Sequence, residues 1–249
     1  MKHRLFLSVV TASVLVSQAS AGTMGSVMPT QDWIWVGSVS AGPVWARGGE
    51  TQTFFLAPEI EKTYAARKSS KALASGELFI GLQKILSSNW VGQLGLAAAT
   101  VGNAKLQGVI WDDADQQFDN YTYQYKVRHS QVAVKGKLLF DKGYRIMPWV
   151  SASLGVGFNH AHDFTNTPLI FEALPNANFT DSTKTAFTYT LGAGVQKFIN
   201  DHGQIGVGYE FADWGKSELG SALGQTMNSG LSLNHLYTNG VLLNLTYVA

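Results

Sequence analysis

"NGVLLNLTYVA", residues 239–249, places Val241, Leu243, Leu245 and Tyr247 on every second position, with Asn244 and Thr246 between them. Successive side chains of a strand point to opposite faces, so this is the period of a strand with one apolar face. No turn or polar tail follows it. The end of a chain is normally frayed. A terminal strand that keeps a greasy face to its last residues needs a neighbour on each side and apolar surroundings. A sheet closed into a ring within lipid meets both needs.

The other end of the chain agrees. "MKHRLFLSVVTASVLVSQASA" has a basic start (Lys2, His3, Arg4), an apolar stretch from Leu5 to Val16, and Ala19-Ser20-Ala21. These are the three regions of a secretory signal peptide with an A-x-A cleavage site. The apolar run is shorter than the roughly 20 residues a helix needs to span a bilayer. A leader over 1–21, a mature chain from Gly22 and a periplasmic segment over 22–32 are the expectation. Beyond it the apolar stretch "WVGQLGLAAATVG" (90–102) is short, contains Gln93 and is broken by glycines.

Composition rules out several classes. Only 14% of residues are charged, against roughly 25% in ordinary soluble domains. Net charge is +1, and loss of Lys2 and Arg4 with the leader makes it −1. There is no basic stripe for nucleic acid and no acidic tail. With Cys at 0, neither disulfides nor thiolate metal sites are available.

Alternation recurs along the chain. Trp33, Trp35, Val39, Ala41 and Trp45 share one phase, and Leu78, Ile80 and Leu82 oppose Glu77, Phe79, Gly81 and Gln83. Trp90, Leu94 and Leu96 oppose Gln93 and Gly95. In 121–140, Val132, Val134, Leu138 and Phe140 oppose Gln131, Lys135 and Lys137, whereas Tyr121, Tyr123 and Tyr125 carry apolar character in the other phase. That switch predicts a bulge or protruding hairpin near His129. In 144–158 the apolar phase includes Tyr144, Ile146, Val150, Leu154, Val156 and Phe158, opposite Arg145, Ser151, Ser153 and Gly157. Phe187 to Val195 oppose Thr188, Thr190 and Gln196. Ile205, Val207, Tyr209 and Phe211 oppose glycines and Glu210.

The connections alternate in length. Residues 87–89, 141–143 and 199–203 are short and carry turn formers, while 46–75, 103–120, 159–185 and 212–235 are long and polar. The result is an all-β chain: an up-and-down antiparallel transmembrane barrel of about eight strands over 33–249, with short periplasmic turns and long extracellular loops. The first loop is too long for a passive connection and leaves room for short strands of its own. Aromatics near strand ends (Trp33, Trp45, Trp90, Phe158, Phe187, Phe211, Tyr247) fit interfacial girdles. Leu154, Val207, Leu243, Leu245 and Tyr247 are expected to face outer-membrane lipid.

Stretches such as "VRHSQVAVKGKLLF", "SASLGVGFNHAHDF", "FTYTLGAGVQK", "GVGYEFADWGKS" and "LSLNHLYTNGVLLNLTYVA" resemble small outer-membrane barrels related to the OmpA transmembrane domain and the neisserial opacity proteins. They look like an opacity-related surface-protein group of gammaproteobacteria such as Legionella. The resemblance spans roughly residues 33–249 and implies fold more than activity. It implies delivery to the cell outer membrane by barrel-assembly machinery that reads the C-terminal strand. Such barrels typically end on an aromatic residue, whereas this chain ends on Ala249, with Tyr247 two positions earlier.

Inward phases contribute Glu77, Gln93, Gln131, Lys135, Lys137, Arg145, Gln196 and Glu210. Charges in a narrow lumen are costly unless paired, so these residues form either a plugging polar network or a gated path for small solutes. His129-Ser130 invites a nucleophile–base reading, but adjacent strand residues point apart. His160 and His162, with Asp163 next, have a spacing that could hold a metal given a third ligand; solvated histidines are the commoner reading, and no metal or cofactor is assigned. The sequons at Asn120, Asn178 and Asn244 carry little in a bacterial context. In "TNTPLIFEALPNANF" (165–179), Leu169, Ile170, Phe171 and Leu174 make an apolar core that a solvated loop does not need. It either folds back over the barrel mouth, the slightly favoured reading, or contacts a partner.

Three functions follow. The first is a structural or adhesin-like surface-interaction barrel whose loops touch host, phage or envelope partners. The second is a narrow porin-like channel for small polar solutes. The third and weakest is a barrel hydrolase acting on membrane lipid. No catalytic residue is assigned.

Overall fold

The computed structural model describes residues 33–67, 71–171, 173 and 176–249. The leader expected over 1–21 and the periplasmic segment expected over 22–32 lie outside them. Among the described residues there are twelve strands: β1 (Ile34–Arg47), β2 (Gln52–Ala57), β3 (Ile60–Arg67), β4 (Ala72–Ser87), β5 (Trp90–Asp112), β6 (Asp119–Phe140), β7 (Met147–Pro168), β8 (Ser182–Phe198), β9 (Gly203–Asp213), β10 (Ser217–Glu218), β11 (Ser232–Leu233) and β12 (Tyr237–Val248).

Eight of these strands close a ring in the order β1-β4-β5-β6-β7-β8-β9-β12, every neighbour antiparallel. The decisive pairing is the expected one. β12 lies against β1, from Val36 opposite Val248 to Arg47 opposite Tyr237, and against β9 on its other side. No strand of the ring is left with a free edge, which is what hydrocarbon demands of a sheet.

One end of the ring carries tight turns at 88–89, 141–146 and 199–202. Arg145 lies in the second of these and is exposed. It was expected in the lumen because its parity matches the inward phase. However, β7 begins only at Met147, and a guanidinium at the water-facing end stays solvated at no cost.

At the other end the strands run on well past the apolar stripes. β5 continues to Asp112, β6 starts at Asp119, β7 reaches Pro168, and β2–β3 add a hairpin whose second strand pairs with β5 from Lys62–Asp112 to Arg67–Gln107. Residues 103–112 and 159–168, read as loop from sequence, are therefore wall. We call this extension the crown.

The reason the sequence hid it is visible in β6. Its odd-numbered residues point inward without interruption from Tyr121 to Lys135, and Leu139 continues the phase. The backbone does not change phase near His129. Instead the solvent changes. Below, Val132, Val134 and Leu138 face outward and Gln131 and Lys135 inward; above, Gln124, Lys126 and Arg128 face outward and Tyr121, Tyr123, Tyr125 and Val127 fill the interior. The irregularities sit in the neighbours. β5 inserts one extra residue between Val101 and Ala104, and β7 one between His162 and Thr165, where Asp163 takes a left-handed conformation (φ 56°).

The outward apolar run of β7, Pro148 to Phe158, has the length a tilted strand needs to cross hydrocarbon, about 9–11 residues. Leu154, Leu243, Leu245, Tyr247 and Val207 all point outward on this belt. Arginine at Leu154 is expected to cost about 2–4 kcal/mol of folding free energy in lipid, read from urea refolding titrations in vesicles. An unchanged midpoint would show that this phase does not meet acyl chains.

Candidate functional site

The lumen is filled at two levels by different chemistry. At the level of the belt, Lys135 Nζ donates to Glu77 Oε1 and Oε2 at 2.6 and 2.8 Å and to Glu210 Oε2 at 2.9 Å. Two carboxylates thus share one ammonium across the ring, from β4, β6 and β9. Beside them Lys137 Nζ donates to Gln196 Oε1 at 2.5 Å, and Gln196 Nε2 donates to Gln204 Oε1 at 2.5 Å. Gln93 donates to Gln83 at 2.7 Å. Gln131 is buried on the same inner wall, its Oε1 without a protein partner among the described residues. Of the eight residues expected here, seven line the lumen; Arg145 does not.

Trp149 accounts for two inward glycines, Gly194 and Gly208. Its ring lies against the β8–β9 wall, where a Cβ added at Gly208 would come within 2.3 Å of it and one at Gly194 within 2.6 Å. Lys137 Nζ stands 4.4 Å from the ring centroid on its face, a cation–π contact strengthened by exclusion of water. The cavity left among Glu77, Lys135, Trp149, Glu210 and Asn244 is about 30 Å³, more than the roughly 10–15 Å³ that one water molecule needs.

Above this level the interior becomes apolar. Tyr64 stacks on Phe54 (5.3 Å) and meets Tyr123 edge-on (5.6 Å); Phe164 contacts Tyr123 and Phe179. Burial pushes the phenol pKa values of Tyr64, Tyr123 and Tyr125 upward, so they stay neutral. The segment between β9 and β12, read from sequence as a polar loop, turns into this core as a plug. Trp214, Leu219, Leu231, Leu233 and Leu236 are buried in it. Their spacing has no period, so no strand or helix signal marked them.

Polar bonds tie the plug to the wall. Asn159 Nδ2 donates to the carbonyls of Trp214 (2.6 Å) and Lys216 (2.8 Å), and Asn159 Oδ1 lies 2.7 Å from His129 Nδ1. Trp214 Nε1 donates to Thr238 Oγ1 at 2.8 Å. Glu218 lies 3.3 Å from both Lys184 and Lys216. Burial works against its charged form, but donation from Ser229, Lys216 and Lys184 outweighs it and holds the carboxyl below the usual range.

His129 is therefore an interior latch, while Ser130 points out beside Thr100, 3.2 Å away. The two are not a nucleophile–base pair. His160 and His162 stack on the outer wall at 4.9 Å; among the described residues no group of three or more His, Asp or Glu is placed to hold a metal.

The apolar run at 169–171 does not fold back over the mouth. Leu169, Ile170 and Phe171 are exposed, Phe171 fully; Leu174 lies outside the described residues. Phe179 and the plug occupy the mouth instead. Backbone bonds from Asp113 to Glu61 and from Leu169 to Asn120 set the tips of β2–β3, β5–β6 and β7–β8 side by side. There Ile60 and Phe118 are exposed with the 169–171 run.

Among solved structures the chain is similar to the outer-membrane protease OmpT of Escherichia coli, with 8% identity, 89% of this chain and 99% of that one covered, and a TM-score of 0.52. The fold is that of an outer-membrane barrel. Neisserial surface protein A (11% identity, 86% and 96% covered, TM-score 0.44) and Ail, the attachment invasion locus protein of Yersinia pestis (12%, 86% and 98%, 0.37), also match. At these identities the likeness is one of fold. No family model and no curated protein matches the chain.

Within this barrel, Lys135→Met leaves Glu77 and Glu210 buried without their cation. It is expected to destabilise by about 3–5 kcal/mol, the range for removing one partner of a buried pair. Glu77→Gln leaves Lys135 its bond to Glu210 and is expected to cost less. Equal losses in urea titrations of the two variants would contradict a shared ammonium.

Proposed function

We propose that this protein is an outer-membrane surface-interaction barrel, structural or adhesin-like, and not a channel. The observation that supports this reading is that the lumen is filled at two levels, by a charge cluster at the belt and an aromatic plug above it. Ion permeation would require breaking the Lys135 bonds and unpacking Trp214 and its neighbours together. Energy placed in such a core goes toward a rigid crown, and a rigid crown is suited to presenting a surface.

The exposed rim of Ile60, Phe118, Leu169, Ile170 and Phe171 is the part of that surface least suited to water. The crown faces outward in this reading, with the tight turns in the periplasm. Host, phage or envelope partners would meet the rim, and the assembly machinery would meet β12. The hydrolase reading gains no support from His129 and Ser130, which lie on opposite faces.

In planar bilayers the purified protein is expected to insert without discrete conductance steps. Cells carrying Ile170→Asp/Phe171→Asp are expected to lose retention on host-cell or matrix-coated surfaces, with heat-modifiable migration of the folded barrel unchanged. Stable single-channel openings in the unaltered protein would favour the narrow channel instead.

A further inference from the structure

The outer wall of the crown is not uniform. On β6 the outward side chains climb from Val134 and Val132 through Ser130 to Arg128 and Lys126. β7 climbs from Val156 and Phe158 to His160 and His162, and β5 from Leu96, Ala98 and Thr100 across its bulge to Lys105. The register sets Arg128 opposite His160, and Lys126 opposite both His162 and Lys105. Three adjacent strands therefore bring five basic side chains to one patch.

The height of the patch matters. His160 is the next outward residue after Phe158, about 7 Å along the strand at about 3.3 Å per residue. The polar headgroup layer beyond each face of the hydrocarbon is about 5–7 Å thick, and strand tilt shortens the climb. His160 therefore stands within the headgroup layer.

Its charge is also poorly balanced from within. Asp163 lies 3.0 Å from Lys126 Nζ and 3.2 Å from His162 Nδ1, and the exposed Asp181 borders it, its Oδ1 accepting from the Asp163 N–H at 3.1 Å. Lys126 and His162 hold the Asp163 carboxyl below its ordinary range. Among the described residues neither Arg128 nor Lys105 has an ion-pair partner, and Arg128 is exposed. Exposed acids gather farther out, at the hairpin tips, as Glu59, Asp113 and Asp115. At this boundary Lys105, Lys126 and Arg128 outnumber the two acids, Asp163 and Asp181.

We propose that Lys105, Lys126, Arg128, His160 and His162 form a binding site for the phosphate of lipid headgroups in the leaflet on the crown side. The guanidinium fork of Arg128 matches two phosphate oxygens at once, and the lysines add point charges. The hydroxyls of Thr100, Ser130 and Thr183 border the patch, with Thr183 Oγ1 2.9 Å from His160 Nδ1. Such a site fixes the depth of the barrel and recruits phosphate-rich lipid to one sector of its wall.

The test uses the whole protein in phosphatidylcholine vesicles, with spin-labelled phosphatidic acid or spin-labelled phosphatidylcholine as probe. The motionally restricted fraction of each gives the preference for lipid phosphate. Each basic side chain near the surface is worth about a fivefold change in partition. Lys105→Gln/Arg128→Gln is therefore expected to lower the preference by more than tenfold at low salt. Asp163→Asn, which removes the acid paired with Lys126 without touching the core, is expected to raise it. Lys142→Gln/Arg145→Gln at the tight-turn end serves as a control and is expected to leave most of the preference intact. Inorganic phosphate, at constant ionic strength against chloride, is expected not to displace the lipid. An unchanged preference in the first variant, an equal fall in the control, no rise in Asp163→Asn, or displacement by inorganic phosphate would each overturn the site.

Discussion

A backbone amide inside hydrocarbon finds no partner except another strand, and everything else in this protein follows from meeting that demand. The pairing of β1 with β12 turns a sheet into a ring and removes the last free edge. A ring also has an inside, and the inside must be filled. For a barrel of eight strands the interior is about as wide as side chains can fill, so the lumen is packed as a second core.

That core is built under two sets of rules because the wall crosses two solvents. Where lipid lies outside, apolar side chains face out and the interior takes polar groups, each of which then needs a partner. Lys135 between Glu77 and Glu210 answers that need, and Trp149 on its glycine bed fills the remaining space. Where water lies outside, the rule inverts. Lys126 and Arg128 turn outward, Tyr121, Tyr123 and Tyr125 turn inward, and the plug packs against them as in a soluble barrel. β6 passes through the inversion without a kink, and the bulges of β5 and β7 absorb the adjustment beside it.

The lipid-spanning half of the fold was legible in the sequence because its signal has a fixed period and a fixed direction. Leu154, Val207 and Leu243 could be placed from alternation alone, and so could the inward parity of Glu77, Lys135 and Glu210. The crown was legible only as a disturbance. Tyr121, Tyr123 and Tyr125 read as a change of phase because alternation alone assigns apolar residues to the lipid face. The plug left no trace, since Leu219, Leu231 and Leu233 hold their places through contacts distant in sequence. Arg145 shows the opposite error: parity continues past the end of a strand, but the strand does not. That Lys135 bridges two carboxylates across the ring depended on how the ring closes, which no local pattern records.

The central claim is that one uninterrupted strand changes the polarity of its two faces at the lipid boundary and that the crown interior is dry. The absence of cysteine makes single-cysteine spin labels along β6 the most direct measurement, with oxygen and a water-soluble nickel complex as collision partners. Labels at 132, 134 and 138 should favour oxygen, labels at 124, 126 and 128 should favour nickel, and labels at 123 and 125 should meet neither. Nickel access at 123 and 125 equal to that at 124 and 126 would mean a water-filled crown, and the account of a sealed barrel would be wrong.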